Sequence, residues 1–298
     1  MASKRWRPEL EIPPDTHLVA LVGDPVSHSL SPRMHAAAFR ARGLPWAYVA
    51  LRVRAEDLPE AVKGLRALGF VGANVTIPHK VAVLELLDDV HSSARRCGAA
   101  NTLVFVDGRR AVGYNTDVAG VRRTLQEEGL DLRGLRAAVL GAGGAARAAC
   151  VALAEGGAER VTVVARRLPA ARDLCGRMEE EFRQVRFDAC PFEGDRLRSA
   201  VREADVVVNA TPVGMHPREE ESPLPGAEWL RPGQVVFDMV YNPARTRLLR
   251  LAELAGARPV GGLSMLVHQG AEAFELWTGC AAPVEAMKQA VGLLPAGV

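Results

Sequence analysis

An apolar run that breaks into glycines constrains this chain more than any other feature. The segment Ala137–Leu140 gives way to Gly141-Ala142-Gly143-Gly144-Ala145-Ala146, and an Ala-rich helical pattern follows at once. The run fits G-x-G-x-x-[G/A] at Gly141, Gly143 and Ala146. A first glycine permits the tight turn, a second lets backbone approach a pyrophosphate, and a small third residue lets helix pack on strand. The helix then opens with free N–H groups that favour an anion. A second apolar run, Val161–Ala165, begins roughly 20 residues further on, as a βαβ unit requires. The expectation is a Rossmann-type half that binds a dinucleotide; a Gly/Ala turn that serves packing alone is the plainer alternative.

The end of the second strand bears on which dinucleotide. An NAD site places Asp or Glu there for the ribose 2′-hydroxyl. Here the strand runs into Arg166-Arg167, with Arg172 nearby and no acid before Asp173. A carboxylate repels a 2′-phosphate, whereas a guanidinium pairs with it. NADP is therefore expected, against the plainer reading of two solvated arginines.

The same alternation organises the rest of the chain. Strands are expected at His17–Gly23, Trp46–Val53 and Ala73–Ile77, with helices at Pro32–Arg42 and Leu58–Leu68 between them. Asn101–Val106 and Ala111–Asn115 flank Asp107-Gly108 and read as a hairpin. From Leu135 strands recur at Ala137–Leu140, Val161–Ala165, Val185–Asp188, Asp205–Asn209 and Val235–Met239. Strands separated by helices imply an α/β class with mostly parallel sheets. At 298 residues two domains are the prior, with the break around Asp117–Arg133 as a connecting helix. Ser264–Val298 reads as helical without strand, and residues 1–15 as a flexible extension.

Composition narrows the classes of function. With 37 Lys and Arg against 35 Asp and Glu, the net charge is +2. This gives no bulk reason to expect nucleic acid or an anionic membrane as partner. No apolar run reaches the ~20 residues of a membrane span, and the first residues lack a secretory signal. Five scattered cysteines without CxxC argue against a disulfide framework and a Cys-based zinc site. The expectation is a cytoplasmic enzyme with a small-molecule substrate and no metal.

Only four of the 37 basic residues are Lys: Lys4, Lys63, Lys80 and Lys288. Three sit in charged or terminal contexts and read as surface residues. Lys80 follows Asn74-Val75-Thr76-Ile77-Pro78-His79, polar groups at a strand end and then Pro, and is expected in a first helical turn. There the helix dipole mildly disfavours a cation, which a surface role would not require. The segment Ser27-His28-Ser29-Leu30-Ser31-Pro32 repeats the device. Ser31 reads either as an ordinary N-cap or, with Ser29 and the helix N-terminus, as a site for a small carboxylate or phosphate. Oxidising an alcohol requires a group that takes the hydroxyl proton as hydride leaves. An ordinary lysine, with a pKa of about 10.4, does so poorly at neutral pH, but desolvation lowers that value and a carboxylate fixes the ammonium in place. Lys80 with Asp117 is a candidate pair.

Eight motifs in one order then carry a resemblance to the shikimate dehydrogenase family. They are HSLSP at 28–32, NVTIPHK at 74–80, GAANT at 98–102, GYNTD at 113–117, GAGGAARA at 141–148, NATPVGM at 209–215, DMVYNP at 238–243 and GGLSMLVHQGAEAFELWTG at 261–279. The resemblance implies a two-domain enzyme reducing 3-dehydroshikimate to shikimate with NADPH, as a monomer or homodimer. It implies a substrate domain of residues 1–117 completed by helices of 264–298, and an NADP domain of 118–263. It also implies that Ser29 and Ser31 hold the substrate carboxylate, and that Thr76, Asn101, Tyr241 and Gln269 bond its carboxylate or ring hydroxyls. Lys80 and Asp117 match the catalytic pair. Gly141, Ala142, Gly143, Gly144 and Ala145 match the pyrophosphate turn, and Met239 and Gly262 lie beside the nicotinamide.

Four positions depart from the family pattern. Ala165-Arg166-Arg167 stands for the usual Asn-Arg-Thr, Val118 for a Gly, His79 for an aromatic before the lysine, and Ser264 for the second Gly of GLGM. The last is a small-for-small change expected to be tolerated. The rival readings are an NAD-using quinate/shikimate or aminoshikimate dehydrogenase, and an NADP-binding regulator without turnover.

Overall fold

The first strand, β1 (His17–Gly23), is buried along Val19–Gly23, as a strand covered on both faces must be. It pairs in parallel with β2 (Trp46–Arg52) and β3 (Gly72–Val75). Helices α1 (Ser31–Ala41) and α2 (Leu58–Ala67) form the crossovers that parallel pairing demands. Next come β4 (Asp89–Val90), α3 (Ser92–Cys97), β5 (Thr102–Val106) and β6 (Arg110–Tyr114). The expected hairpin is present: β5 and β6 pair antiparallel, and Asp107 (φ 51) and Gly108 (φ 63) take the left-handed backbone that reverses the chain. The sheet order is β2-β1-β3-β5-β6-β4. This is a computed structural model, and it describes residues 13–108 and 110–294; the extension expected over 1–15 falls outside the described residues up to residue 12.

Helix α4 (Asp117–Glu127) connects to a second sheet. Its elements are β7 (Arg136–Leu140), α5 (Gly144–Glu155), β8 (Arg160–Ala165), α6 (Leu168–Glu181), β9 (Arg186–Pro191), α7 (Gly194–Glu203), β10 (Val206–Asn209), β11 (Val235–Asp238), α8 (Arg247–Leu254) and β12 (Arg258–Val260). All six strands are parallel, in the order β12-β11-β10-β7-β8-β9. That is the doubly wound dinucleotide-binding order, and it reverses direction between β7 and β10. The glycine turn leaves β7 at this switch point.

Helices α9 (Gly262–Thr278) and α10 (Val284–Ala290) return to the first sheet. Val267, Ala271, Phe274 and Met287 share one apolar cluster with Val19, Leu21, Met34 and Phe39. The Trp277 indole donates to the Leu103 carbonyl at 2.9 Å, over a spot where Gly72 has no Cβ to block it.

Several local expectations need correction. Lys80 is not in the first turn of an α-helix. It lies in a turn that leads into a 3-10 helix, Ala82–Leu86, so the dipole argument does not apply to it. Ser31 is not an N-cap. Leu30 holds that position, and the Ser29 hydroxyl accepts from the Ser31 amide at 3.2 Å. Strands β4 and β12 and helix α3 have no counterpart in the sequence reading, because two, three and six residues are too few to show a period.

Candidate active site

Lys80 and Asp117, 37 residues apart in sequence, meet where the turn after β3 comes against the first residues of α4 and α5. Nζ lies 2.5 Å from Oδ2, with the side chains 17% and 5% exposed. Asp117 is the first residue of α4, where a carboxylate is favoured by the helix dipole. Its other oxygen, Oδ1, accepts from Asn101 Nδ2 at 2.9 Å. Asn101 is held in turn, since its Oδ1 accepts from the Thr116 amide at 2.7 Å. Its Nδ2 also lies 3.0 Å from Thr116 Oγ1 and 3.5 Å from Gln269 Oε1. Both Asn101 amide hydrogens thus have acceptors within the protein, and the residue fixes Asp117 as well as facing Gln269. On its other side the Lys80 stem abuts the glycine turn. A Cβ on Gly144 would fall 2.7 Å from Lys80 Cβ. The catalytic-pair candidate and the dinucleotide-turn candidate therefore share one wall.

The serine loop closes a second side. Ser31 is buried and Ser29 half-buried at the start of α1. Burial pushes the Tyr241 hydroxyl upward in pKa, opposed by a hydrogen bond with Ser29, which places these two side chains together. Thr76 follows β3, half-buried, with its amide bonded to the Val22 carbonyl at 2.8 Å. Behind it, Tyr48 donates to Asn74 Oδ1 at 2.8 Å, and Asn74 Nδ2 donates to Thr102 Oγ1 at 3.0 Å. Sequence reasoning gives no role to Tyr48, Asn74, Thr102 or Thr116. Their polarity is visible along the chain, but not that they form one buried network behind the site. His79 is buried, with Nε2 2.8 Å from the Val53 carbonyl, and so anchors the turn that carries Lys80 to the end of β2.

On the dinucleotide side, Gly141 has φ +119 and would meet the Ala210 carbonyl at 3.1 Å if it carried a Cβ. Only glycine tolerates both the backbone and the approach. A Cβ on Gly143 would meet nothing within 4 Å, so the open face of the turn has room for a phosphate beside the N-terminus of α5. Ala146 is fully buried, as helix-on-strand packing requires. Gly262 packs directly on the Met239 carbonyl, whose oxygen a Cβ at that position would approach to 2.6 Å. Beside them sits Asp238, buried and accepting from Asn209 Nδ2 at 2.9 Å, Thr246 Oγ1 at 2.6 Å and the Val240 amide at 3.0 Å. Burial pushes its carboxyl up to about 6 despite those bonds. Arg166 and Arg167 are exposed at the end of β8 and, among the described residues, make no ion pair. The Gly141 amide bonds to the Val164 carbonyl at 2.7 Å, which puts the arginines and the glycine turn on the same sheet edge. The residues present fit a dinucleotide with an extra phosphate: an open glycine face, a helix N-terminus and free guanidinium groups.

Among the described residues there is no helix long and apolar enough to cross a membrane and no cluster of three metal-ligating side chains.

Comparison with known proteins gives a consistent result along the chain. Residues 21–103 match the shikimate dehydrogenase substrate binding domain, 123–221 match shikimate / quinate 5-dehydrogenase, and 262–291 match the shikimate 5'-dehydrogenase C-terminal domain. A shikimate dehydrogenase (NADP(+)) of Methanothermobacter thermautotrophicus is 49% identical over 276 residues, covering 93% of this chain and 96% of that protein. A crystal structure of a shikimate dehydrogenase in complex with NADP+ superposes with a TM-score of 0.85 at 40% identity, over 94% of this chain and 96% of that one. The shikimate 5-dehydrogenase of Thermus thermophilus, in complex with NADP(H) and shikimate, gives 0.81 at 42% identity, over 93% and 99%.

Proposed function

The chain belongs to the shikimate dehydrogenase family, and on that premise we propose that Lys80 and Asp117 are the proton-transfer pair of its reaction. It is an NADP-dependent oxidoreductase that interconverts 3-dehydroshikimate and shikimate. NADPH, when bound, supplies the hydride that turns the C3 ketone into an alcohol.

The protein's own residues supply the proton. As the ring carbonyl gains electrons its oxygen becomes basic, and the Lys80 ammonium donates to it. In the direction of oxidation the same nitrogen takes the hydroxyl proton. Asp117 Oδ2 holds the ammonium at 2.5 Å and Asn101 holds Asp117 at 2.9 Å. The nitrogen is thereby pre-positioned, which removes an entropic part of the barrier. Ser29, Ser31 and Tyr241 converge to receive the ring carboxylate, with Thr76, Asn101 and Gln269 facing the ring hydroxyls. Gly141 to Ala145 hold the pyrophosphate, Arg166 and Arg167 the 2′-phosphate, and Met239 and Gly262 flank the nicotinamide. Among the described residues, those of 13–117 with 264–294 make the substrate side and 118–263 the NADP side. We place the enzyme in the cytoplasm, where its five free cysteines stay reduced.

One observation carries the assignment of roles: Lys80 lies between the Asp117 carboxylate and the first residue of the helix that follows the glycine turn. The decisive experiment follows NADPH absorbance with 3-dehydroshikimate, then compares kcat/KM for shikimate and quinate with NADP and NAD. Lys80→Ala should lower kcat by roughly 10²–10⁴ with KM changed less. Ser29→Ala and Ser31→Ala should act mainly on KM. Near-normal kcat in Lys80→Ala would remove that residue from the role. A preference for NAD of tenfold or more would overturn the Arg166/Arg167 assignment.

A further inference from the structure

A second polar cluster stands away from the proton-transfer pair, at the far end of α4. Glu127 is the last residue of that helix, where a negative charge is unfavourable to the helix dipole. Its carboxylate is nevertheless met from two other helices. Ser264 Oγ donates to Oε2 at 2.6 Å, and His268 Nε2 lies 2.9 Å from the same oxygen, off the best line for a hydrogen bond. Lys288 Nζ, from α10, donates to Oε1 at 2.9 Å. Partial burial works against ionisation, but the hydrogen bonds from Ser264 and Lys288, with His268 close by, outweigh it and pull the Glu127 carboxyl down to about 2. Lys288 is thus not the bland surface residue that its sequence context suggests, and Ser264, expected only as a small-for-small change, adds a hydroxyl contact.

The cluster gains meaning from what else lies along the two helices. Asp117, Gly120, Thr124 and Glu127 are spaced by three, four and three residues and so share one stripe of α4. That stripe faces α9. A Cβ on Gly120 would fall 3.0 Å from Gln269 Cβ and 3.1 Å from the Met265 carbonyl, so the helices touch backbone to side chain there. Ser264 and His268 meet Glu127, whereas Glu272, one turn further along α9, pairs with Arg123 at 3.9 Å, one turn nearer Asp117, so α9 runs antiparallel to α4. About ten residues of helix, roughly 15 Å, separate Glu127 from Asp117. Gly120 supplies closeness without a lock, since a bare helix face permits sliding. The polar contacts that bear on axial register are those of the cluster at one end, a 3.9 Å ion pair of Arg123 with Glu272 along the way, and the Asn101 link to Gln269, a long 3.5 Å, at the other.

We propose that Glu127, gripped by Ser264, His268 and Lys288, is a positioning residue that sets the register of α9 on α4, and thereby the placement of Gln269 beside Asn101 and Asp117. The inference rests on the reading of Gln269 as a substrate contact. A slip of α9 carries Gln269 off the ring hydroxyl, while Lys80 and Asp117, which belong to other elements, stay in place. Because Gln269 grips substrate and transition state alike, the loss falls on KM rather than kcat.

The test is steady-state kinetics of Glu127→Ala alone and in a Gln269→Ala background, at saturating NADP. Glu127→Ala should raise KM for shikimate roughly 3- to 10-fold, with kcat within about twofold, and the rise should vanish when Gln269 is already Ala, as coupled residues require. A KM unchanged in Glu127→Ala, or a rise of equal size in both backgrounds, overturns the proposal. Ser264→Ala removes one donor and keeps the fold should Glu127→Ala not accumulate. It should shift KM in the same direction by about twofold, and an unchanged KM there also overturns the proposal. An unmodified enzyme inactive on shikimate would count against the functional reading instead, because loss of the pin leaves NADP-dependent turnover in place.

Discussion

Around Lys80 the deciding factor is how little space remains. The α5 N-terminus approaches its stem so closely that Gly144→Ala would force Cβ to within 2.7 Å of Lys80 Cβ, against atoms fixed by the Asp117 contact. Gly144→Ala should therefore lower kcat at least tenfold, since a small misplacement of a reacting group costs about this much or more. Gly143→Ala is the control one residue away. Its Cβ meets no protein atom, so thermal stability should hold while KM for NADP rises, the methyl occupying the phosphate face. Melting curves and KM for NADP separate the two variants. At the other end of the dinucleotide, replacing Arg166 and Arg167 together by Ala should reduce kcat/KM for NADP by roughly 10- to 100-fold, the worth of a charge-assisted hydrogen bond, and leave that for NAD nearly unchanged. Lysine scarcity makes Lys80 conspicuous in the sequence, yet the same reasoning passes over Lys288. Both are rare lysines, and only the helix that packs beside each one distinguishes them.

Among elements, those with a full period are legible and short ones are not. Buried strands such as Val161–Ala165 and amphipathic helices such as Leu58–Ala67 announce themselves through spacing. The stretch after Pro78 does not. It offers the residues of a helix start and forms a turn and a 3-10 helix, with His79 drawn to the Val53 carbonyl of a neighbouring strand end. The loops leaving β10 and β11 show the same dependence on neighbours. Asn209 and Asp238 close adjacent strands in register, and Thr246 both caps α8 and donates to Asp238. Thr246→Ala removes the cap and leaves a buried carboxyl short of a donor, so it should cost roughly 1–3 kcal/mol of stability in denaturant titrations. KM for NADP should rise with it, because Met239 follows directly on Asp238.

For the whole molecule, two buried titratable groups oppose each other in acid. His35 is fully buried, stacked 4.5 Å from Tyr48 with neither ring nitrogen bonded, and burial pulls its pKa down to about 3. Its contribution is complete above the unfolded value of about 6.5 and is lost as pH falls toward 3, because the unfolded chain binds the proton that the fold refuses. Asp238, pushed up to about 6, has the opposite sign: the unfolded chain ionises first, so stability falls as pH rises from about 4 to 6. These slopes, each at most about 1.4 kcal/mol per pH unit, cancel between about pH 4 and 6. His35→Phe removes one of them. The difference in unfolding free energy, unmodified minus variant, should rise with pH across that window, and a flat difference would show that His35 titrates normally. Such cancellation is a property of the assembled fold. The sequence alone determined two α/β units, a glycine turn at a strand end, guanidinium groups where an acid would select NAD, and polar motifs at strand–helix junctions. These follow from residue spacing within one element, and burial imposes that spacing locally. Tertiary structure alone decided that Lys80 meets both Asp117 and Gly144, and that Glu127 gathers donors from 137 to 161 residues away. Those contacts depend on how whole helices and sheets dock, and no period along the chain records that geometry.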